Sequence, residues 1–66
     1  MNITVNGKPY EVEEATTLEQ VLQLANIKTT GIATALNNAV VPAVMRPKTV
    51  LVEGDSVTVI TAFYGG

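Results

Sequence analysis

The segment Asn2-Ile3-Thr4-Val5-Asn6-Gly7-Lys8-Pro9-Tyr10-Glu11-Val12 reads as two alternating runs hinged on one dipeptide. Ile3 and Val5 alternate with polar neighbours, the period of a half-buried strand. Asn6-Gly7 tolerates positive φ at both centres of a tight turn. Tyr10 and Val12 then resume the alternation, so a hairpin pairing roughly 2–5 with 8–12 is expected. Pro9 cannot donate to a ladder, which puts its nitrogen on the solvent side of an edge. Glu13 to Thr17 follow as a connection. Leu18, Val21, Leu22 and Ala25 then fall at i, i+3, i+4 and i+7, one face of a helix. Leu24 is expected to broaden that stripe. Thr16 with Glu19, or Thr17 with Gln20, has the spacing of a capping box. The helix should end near Asn26.

From there the chain punctuates itself. Thr29-Thr30-Gly31 reads as a loop, Ile32 to Leu36 as a third strand, Asn37-Asn38 as a turn and Ala39 to Val41 as a short strand stopped by Pro42. Ala43 to Lys48 is expected to be an irregular crossing, Val50 to Val52 a short extended piece and Glu53-Gly54-Asp55 a turn. A last strand carries Val57, Val59 and Thr61 on one side and Thr58 and Ile60 on the other, with strand character continuing to Phe63 and Tyr64. One helix can cover one sheet, and it is long enough to return a later strand parallel to the first. The expected fold is therefore α+β: a mixed sheet of four to five strands, the final strand central, with one main helix packed across one face. This is the β-grasp arrangement, read as one domain over residues 1–66 with a flexible diglycine tail at 65–66.

Composition narrows the function classes. Of 66 residues, 47% are hydrophobic and 15% charged, which places the chain among globular sequences. Cys and His both number zero, which removes disulfides, thiol nucleophiles, imidazole acid–base catalysis and the usual zinc sites. The net charge is −2 and the four basic residues form no run, so nucleic acid is not an expected partner. The apolar runs are too short to span a membrane. Met1-Asn2-Ile3-Thr4 does not open a signal peptide, and a cytoplasmic location is expected.

Four sets of residues are candidates for function. Gly65-Gly66 offers a terminal carboxylate on a backbone without side chains, able to pass through a narrow channel; the ordinary alternative is a frayed end. Residues 56–64 carry no charge and keep strand character, so the glycines follow a rigid strand at a defined reach, which favours a carrier. Phe63 and Tyr64 could anchor an interface or close the core, Phe63 lying on the Val57 and Val59 side. Thr58, Ile60 and Ala35 should face away from the helix, where an apolar sheet surface can dock a partner or be merely solvated. Glu11, Glu13 and Glu14 lack a basic or imidazole partner and any sign of a cleft, so they read as a solvated face. No nucleophile pair, phosphate loop or calcium loop is present, and no metal site or catalytic residue is expected. An autonomous enzyme is not the expected reading.

The run Ala35-Leu36-Asn37-Asn38-Ala39-Val40-Val41-Pro42, then Thr49-Val50-Leu51, then Glu53-Gly54-Asp55-Ser56-Val57, ending in Gly65-Gly66, resembles the ThiS family of sulfur carriers in thiamine biosynthesis. The opening Ile3 to Lys8 and the helix are also similar, so the resemblance covers the whole chain. It departs at Ala43, where many members have Arg, and at Arg46, near which a Trp is common; whether Arg46 or Lys48 takes the part of that Arg is left to the structure. The resemblance implies a β-grasp carrier that is not itself an enzyme and binds no cofactor. An E1-like adenylating enzyme of the ThiF type would use ATP and Mg2+ to convert the Gly66 carboxylate to an acyl-adenylate. A cysteine desulfurase or sulfurtransferase relay would replace the adenylate with sulfur, and thiazole synthase (ThiG) would take that sulfur from the Gly66 thiocarboxylate. Gly65 would give backbone access, and Tyr64, Phe63, Ile60, Thr58 and Ala35 would contact partners. The alternative with the same chemistry is MoaD, the small subunit of molybdopterin synthase, which usually runs longer and often has prolines before its glycines. The alternative of another class is a non-covalent β-grasp interaction module with an inert tail.

Overall fold

In the computed structural model, which describes residues 1–61, the elements run β1 (Asn2–Val5), β2 (Lys8–Glu11), α1 (Leu18–Leu24), β3 (Ile32–Leu36), β4 (Ala39–Val41), a 3-10 helix (Ala43–Lys48) and β5 (Ser56–Thr61). Five strands form one sheet in the order β2-β1-β5-β3-β4. β5 runs parallel to β1 and antiparallel to β3, and the two hairpins β1–β2 and β3–β4 flank it. The fold is the mixed sheet with one covering helix that the element order implies.

The turns show why the chain breaks where it does. Asn6 and Gly7 have φ of 52° and 81°, and Asn37 and Asn38 have 49° and 71°. These left-handed pairs match the twist of a two-residue hairpin, and Asn and Gly are the residues that enter that region at least cost. Thr17 caps α1: its hydroxyl accepts from Gln20 N at 3.2 Å and its N–H donates to Gln20 Oε1 at 2.9 Å. Thr17, rather than Thr16, therefore heads the box. Thr16 points inward, with its hydroxyl donating to the Glu13 carbonyl at 2.6 Å. The helix stops at Leu24, two residues before the expected end. Asn26 takes the left-handed conformation at φ 59°. Asn26 N then donates to Gln23 O and Ile27 N to Leu22 O, the double closure that ends many helices.

Two expectations are corrected. Leu24 does not widen the buried stripe, being 64% exposed; at 3.6 residues per turn it stands roughly 110° from the stripe's centre, beyond the reach of the sheet. The crossing from Ala43 to Lys48 is a 3-10 helix rather than irregular chain, begun by Pro42 in an extended conformation and containing Pro47. Beyond it Thr49 to Leu51 runs against the start of α1: Leu18 N donates to Thr49 O and Leu51 N to Thr16 O.

Among the described residues the core is Ile3, Val5, Val12, Leu18, Val21, Leu22, Leu51 and Val57, all buried. The stripe of α1 supplies three of them and the strands supply residues of alternating position, as the two periodicities require. Leu51 is the plug between the helix start and the sheet.

Candidate functional site

β5 leads toward the terminal glycines, so its surroundings determine where residues 62–66 begin. It sits between two neighbours. On the β3 side the register is continuous from Leu36 opposite Val57 to Ile32 opposite Thr61. On the β1 side the ladder covers only Thr4 with Ser56 and Val5 with Val57, after which Asn6 N donates to Val57 O at 2.8 Å. There the main chain of β1 turns away into its hairpin, and the Asn6 side chain continues the pairing in its place. Its Oδ1 accepts from Val59 N at 2.7 Å and its Nδ2 donates to Val59 O at 3.3 Å. One carboxamide thus imitates the donor and acceptor of a peptide unit. Sequence reading assigned Asn6 only to the turn; its second role depends on a residue 53 positions away, which no local pattern reveals.

The start of β5 is fixed as firmly. The Asp55 carboxylate is 6% exposed, and it accepts from Val52 N at 2.8 Å and from Asn37 Nδ2 at 2.9 Å. Asn37 Oδ1 in turn accepts from Ser56 N at 2.9 Å. Gly54, at φ 85°, makes the turn, and its N–H donates to Asn2 O.

Side chains alternate across this sheet. Val57, Thr34, Ile3 and Val5 face the helix and are buried. The opposite, uncovered face carries Thr58 paired with Ala35, and Ile60 paired with Ala33, with Val40 beside Ala35. Ile60 is 61% and Val40 79% exposed, while Thr58 and Ala35 are half-buried. The structure therefore brings the expected Thr58, Ile60 and Ala35 together and adds Ala33 and Val40, which strand pairing could have supplied once Val41 was assigned inward. Toward the start of β5 the same face turns polar, with Thr4 between Pro9 and Ser56. Phe63, Tyr64, Gly65 and Gly66 lie outside the described residues.

Arg46 is not a surface docking cation. It is 4% exposed. Its Nε donates to Thr34 Oγ1 at 3.1 Å, its Nη1 to Thr29 O at 3.0 Å and its Nη2 to Ile32 O at 3.0 Å. The Thr34 hydroxyl in turn donates to Val41 O at 2.8 Å. One guanidinium thus ties the 3-10 helix to the loop before β3, and through Thr34 to β4. Lys48 is exposed at the end of that helix.

The acidic residues also differ from expectation in one respect. Glu11, Glu13 and Glu14, read as lying away from any cleft, border an open depression of about 700 Å³ together with Val12, Thr16 and Leu24. The exposed Leu24 side chain forms part of its wall. Among the described residues no group of three or more acidic side chains is placed to hold a metal ion, and no helix is long and apolar enough to cross a membrane.

Comparison with known proteins agrees with this geometry. The ThiS family model matches residues 3–66. A crystal structure of a thiamine biosynthesis protein (ThiS) from Geobacter metallireducens is 29% identical, with a TM-score of 0.83, and the match covers 100% of each chain. An NMR solution structure of a thiamine biosynthesis protein from the same organism is 30% identical with a TM-score of 0.72, covering 100% of this chain and 87% of that one. No curated protein matches. With its sheet order, its central β5 and a family match that runs through Gly66, this chain belongs to the ThiS family.

Proposed function

We propose that this chain is a sulfur carrier for the thiazole ring of thiamine, with the Gly66 carboxylate as the group that is activated and loaded. The observation that carries this reading is a central strand, held along both sides, whose last described residue stands five positions before Gly66 in a match that extends to residue 66. A strand anchored in this way sets the reach of whatever follows it, and glycine at 65 lets a partner close around bare backbone.

A carboxylate is a poor acyl donor. In the proposed sequence its oxygen attacks the α-phosphorus of ATP on a ThiF-type enzyme, pyrophosphate leaves, and Gly66 becomes a mixed anhydride. The terminal sulfur of a cysteine persulfide, supplied by a desulfurase or sulfurtransferase relay, attacks the carbonyl and expels AMP. A second thiol then cleaves the sulfur–sulfur bond, leaving a thiocarboxylate on Gly66 and a disulfide on the relay. Thiazole synthase of the ThiG type takes that sulfur. ATP and Mg2+ belong to the partner, and this chain contributes recognition and orientation. Ile60, Thr58, Ala35 and the adjoining Val40 form the sheet surface proposed to meet the partner, with Phe63 and Tyr64 beside the tail.

The test is incubation with a ThiF-type enzyme, ATP and a sulfur source, followed by intact-mass analysis. Wild-type protein should gain sulfur in place of oxygen at its last residue. Gly65→Ala should keep its fold and load poorly. Loading that persists after Gly66 is removed would overturn the assignment.

A further inference from the structure

The net charge of −2 conceals a strong separation of charge along the strands. All six carboxylates sit toward the end of the sheet where β5 begins. Glu11 stands opposite Asn2. Glu53 accepts from Asn2 N at 2.9 Å, and Asp55 O accepts from Thr4 N at 3.0 Å. Glu13 and Glu14 follow Val12, whose N–H donates to Met1 O, and Glu19 is in the first turn of α1, entered from that same loop. Two of the four cations, Lys28 and Arg46, lie toward the opposite end, where β5 finishes. Lys8 stands midway: it is opposite Val5, which pairs with Val57 near the start of β5, and its ammonium lies over the Tyr10 ring, 5.9 Å from the centroid. Lys28 is in the connection leading into β3, whose first residue pairs with Thr61. The buried Arg46 guanidinium binds Thr29 O in that connection and Ile32 O at the start of β3. Lys8 and Lys28 are exposed. Lys48 lies beside the first turn of α1, next to Thr49, whose carbonyl accepts from Leu18 N, and away from the end where β5 finishes.

We infer that the partner that takes the tail presents an acidic rim to the body of this protein, and that the charge separation orients the encounter. This rests on the reading of Gly66 as the reacting group. Any enzyme acting there must meet the end where β5 finishes. A cationic rim would draw the six carboxylates first and capture the molecule backwards, with the tail pointing away. An acidic rim repels that end and attracts Lys28, so productive encounters are favoured before contact. The terminal carboxylate enters the active site itself and meets groups inside it, not the rim. Net charge alone would suggest a basic partner; the placement of the charges reverses the expectation. Steering of this kind acts on association rates and is lost with salt.

The test is stopped-flow association with a purified ThiF-type adenylating enzyme at about 0.02 M and about 0.5 M salt. Lys28→Glu should slow association roughly threefold at low salt, and Lys8→Glu, midway along the sheet, should slow it less. Dissociation should be nearly unchanged and the difference should vanish at high salt. Lys48→Glu makes the same change in net charge away from that end and should have little effect. Faster association of the reversed variants, no change, or an equal effect of Lys48→Glu would overturn the inference. ATP-dependent pyrophosphate release with wild-type protein separates the two levels. If release occurs and the reversals are without effect, only the acidic rim is wrong; if none occurs, the carrier reading fails and the rim falls with it.

Discussion

Asn6 and Arg46 each perform a task that their local sequence does not announce. Asn6 holds a left-handed φ and at the same time offers Val59 both halves of a peptide-like pairing. These roles can be separated by substitution. Asn6→Gly keeps the backbone conformation and loses the two side-chain bonds, which should lower unfolding free energy by about 1 kcal/mol. Asn6→Ala loses the bonds and also places a Cβ in the left-handed region, for about 2–3 kcal/mol in all. Urea denaturation of the two variants gives the magnitudes, and amide exchange at Val59 should accelerate in both. Arg46 poses a different balance, a cation removed from water whose partners among the described residues are neutral oxygens. Hydrogen bonds to a charged donor are worth more than neutral ones, and the acceptors left behind by truncation are costly. Arg46→Ala should therefore cost about 3–4 kcal/mol, with Arg46→Lys recovering only part because an ammonium cannot reach three separated acceptors from one plane. An Arg46→Ala variant as stable as wild type by urea denaturation would remove the guanidinium from its place as the tie between the 3-10 helix and β3.

The helix and strands were legible from the chain because each is announced by a period and closed by a breaker. Ile32 to Leu36, the Asn37-Asn38 turn and Ala39 to Val41 fall where Gly31, the paired Asn residues and Pro42 place them. Leu24 was misread because an apolar residue near a stripe belongs to it only if something lies opposite, and periodicity alone does not say how far a sheet extends. The 3-10 helix was missed because its tight turn leaves no apolar stripe to read. At the helix start two overlapping boxes were equally available by spacing, and tertiary structure decided between them: Thr16 is needed inside, where its carbonyl receives Leu51 N. That outcome predicts unequal sensitivities. Thr17→Ala should cost about 1 kcal/mol and Thr17→Ser close to nothing, since the cap needs only the hydroxyl; thermal denaturation distinguishes them. The sheet edges follow an equally local logic. β2 carries Lys8 and Pro9, and β4 is three residues long and followed by Pro42, devices that discourage pairing with another chain.

The proposed chemistry of this molecule follows β5 in sequence, while the closing of its core lies where β5 starts, and the two were not equally visible beforehand. That the face with Thr58, Ile60 and Ala35 is open followed from alternation, given one helix for one sheet. Its extension to Val40 required the pairing of β4, and the segregation of charge required the whole topology, because Glu11 and Glu53 meet around Asn2 only after folding. The core has the same non-local character. Leu51 is separated from the helix and from β1 by long stretches of chain, yet it is 1% exposed and its backbone is bonded to Thr16. It closes the space between the first turn of α1 and the sheet at the end where β5 starts. A chain of 66 residues with no Cys gains only about 3–5 kcal/mol from such a core. Truncating a fully buried Leu costs about 2–5 kcal/mol, more where the walls cannot collapse. The walls here are a capped helix start and a sheet fixed by the Asp55 network, neither free to move inward. Leu51→Ala should therefore consume most of the stability and leave a substantial unfolded fraction at 25 °C, read as lost amide dispersion in heteronuclear NMR. Val52→Ala, one residue on and 61% exposed, should leave the spectrum and the urea midpoint almost unchanged. If Leu51→Ala were as well folded as Val52→Ala, the closing plug of the core would have to be sought elsewhere.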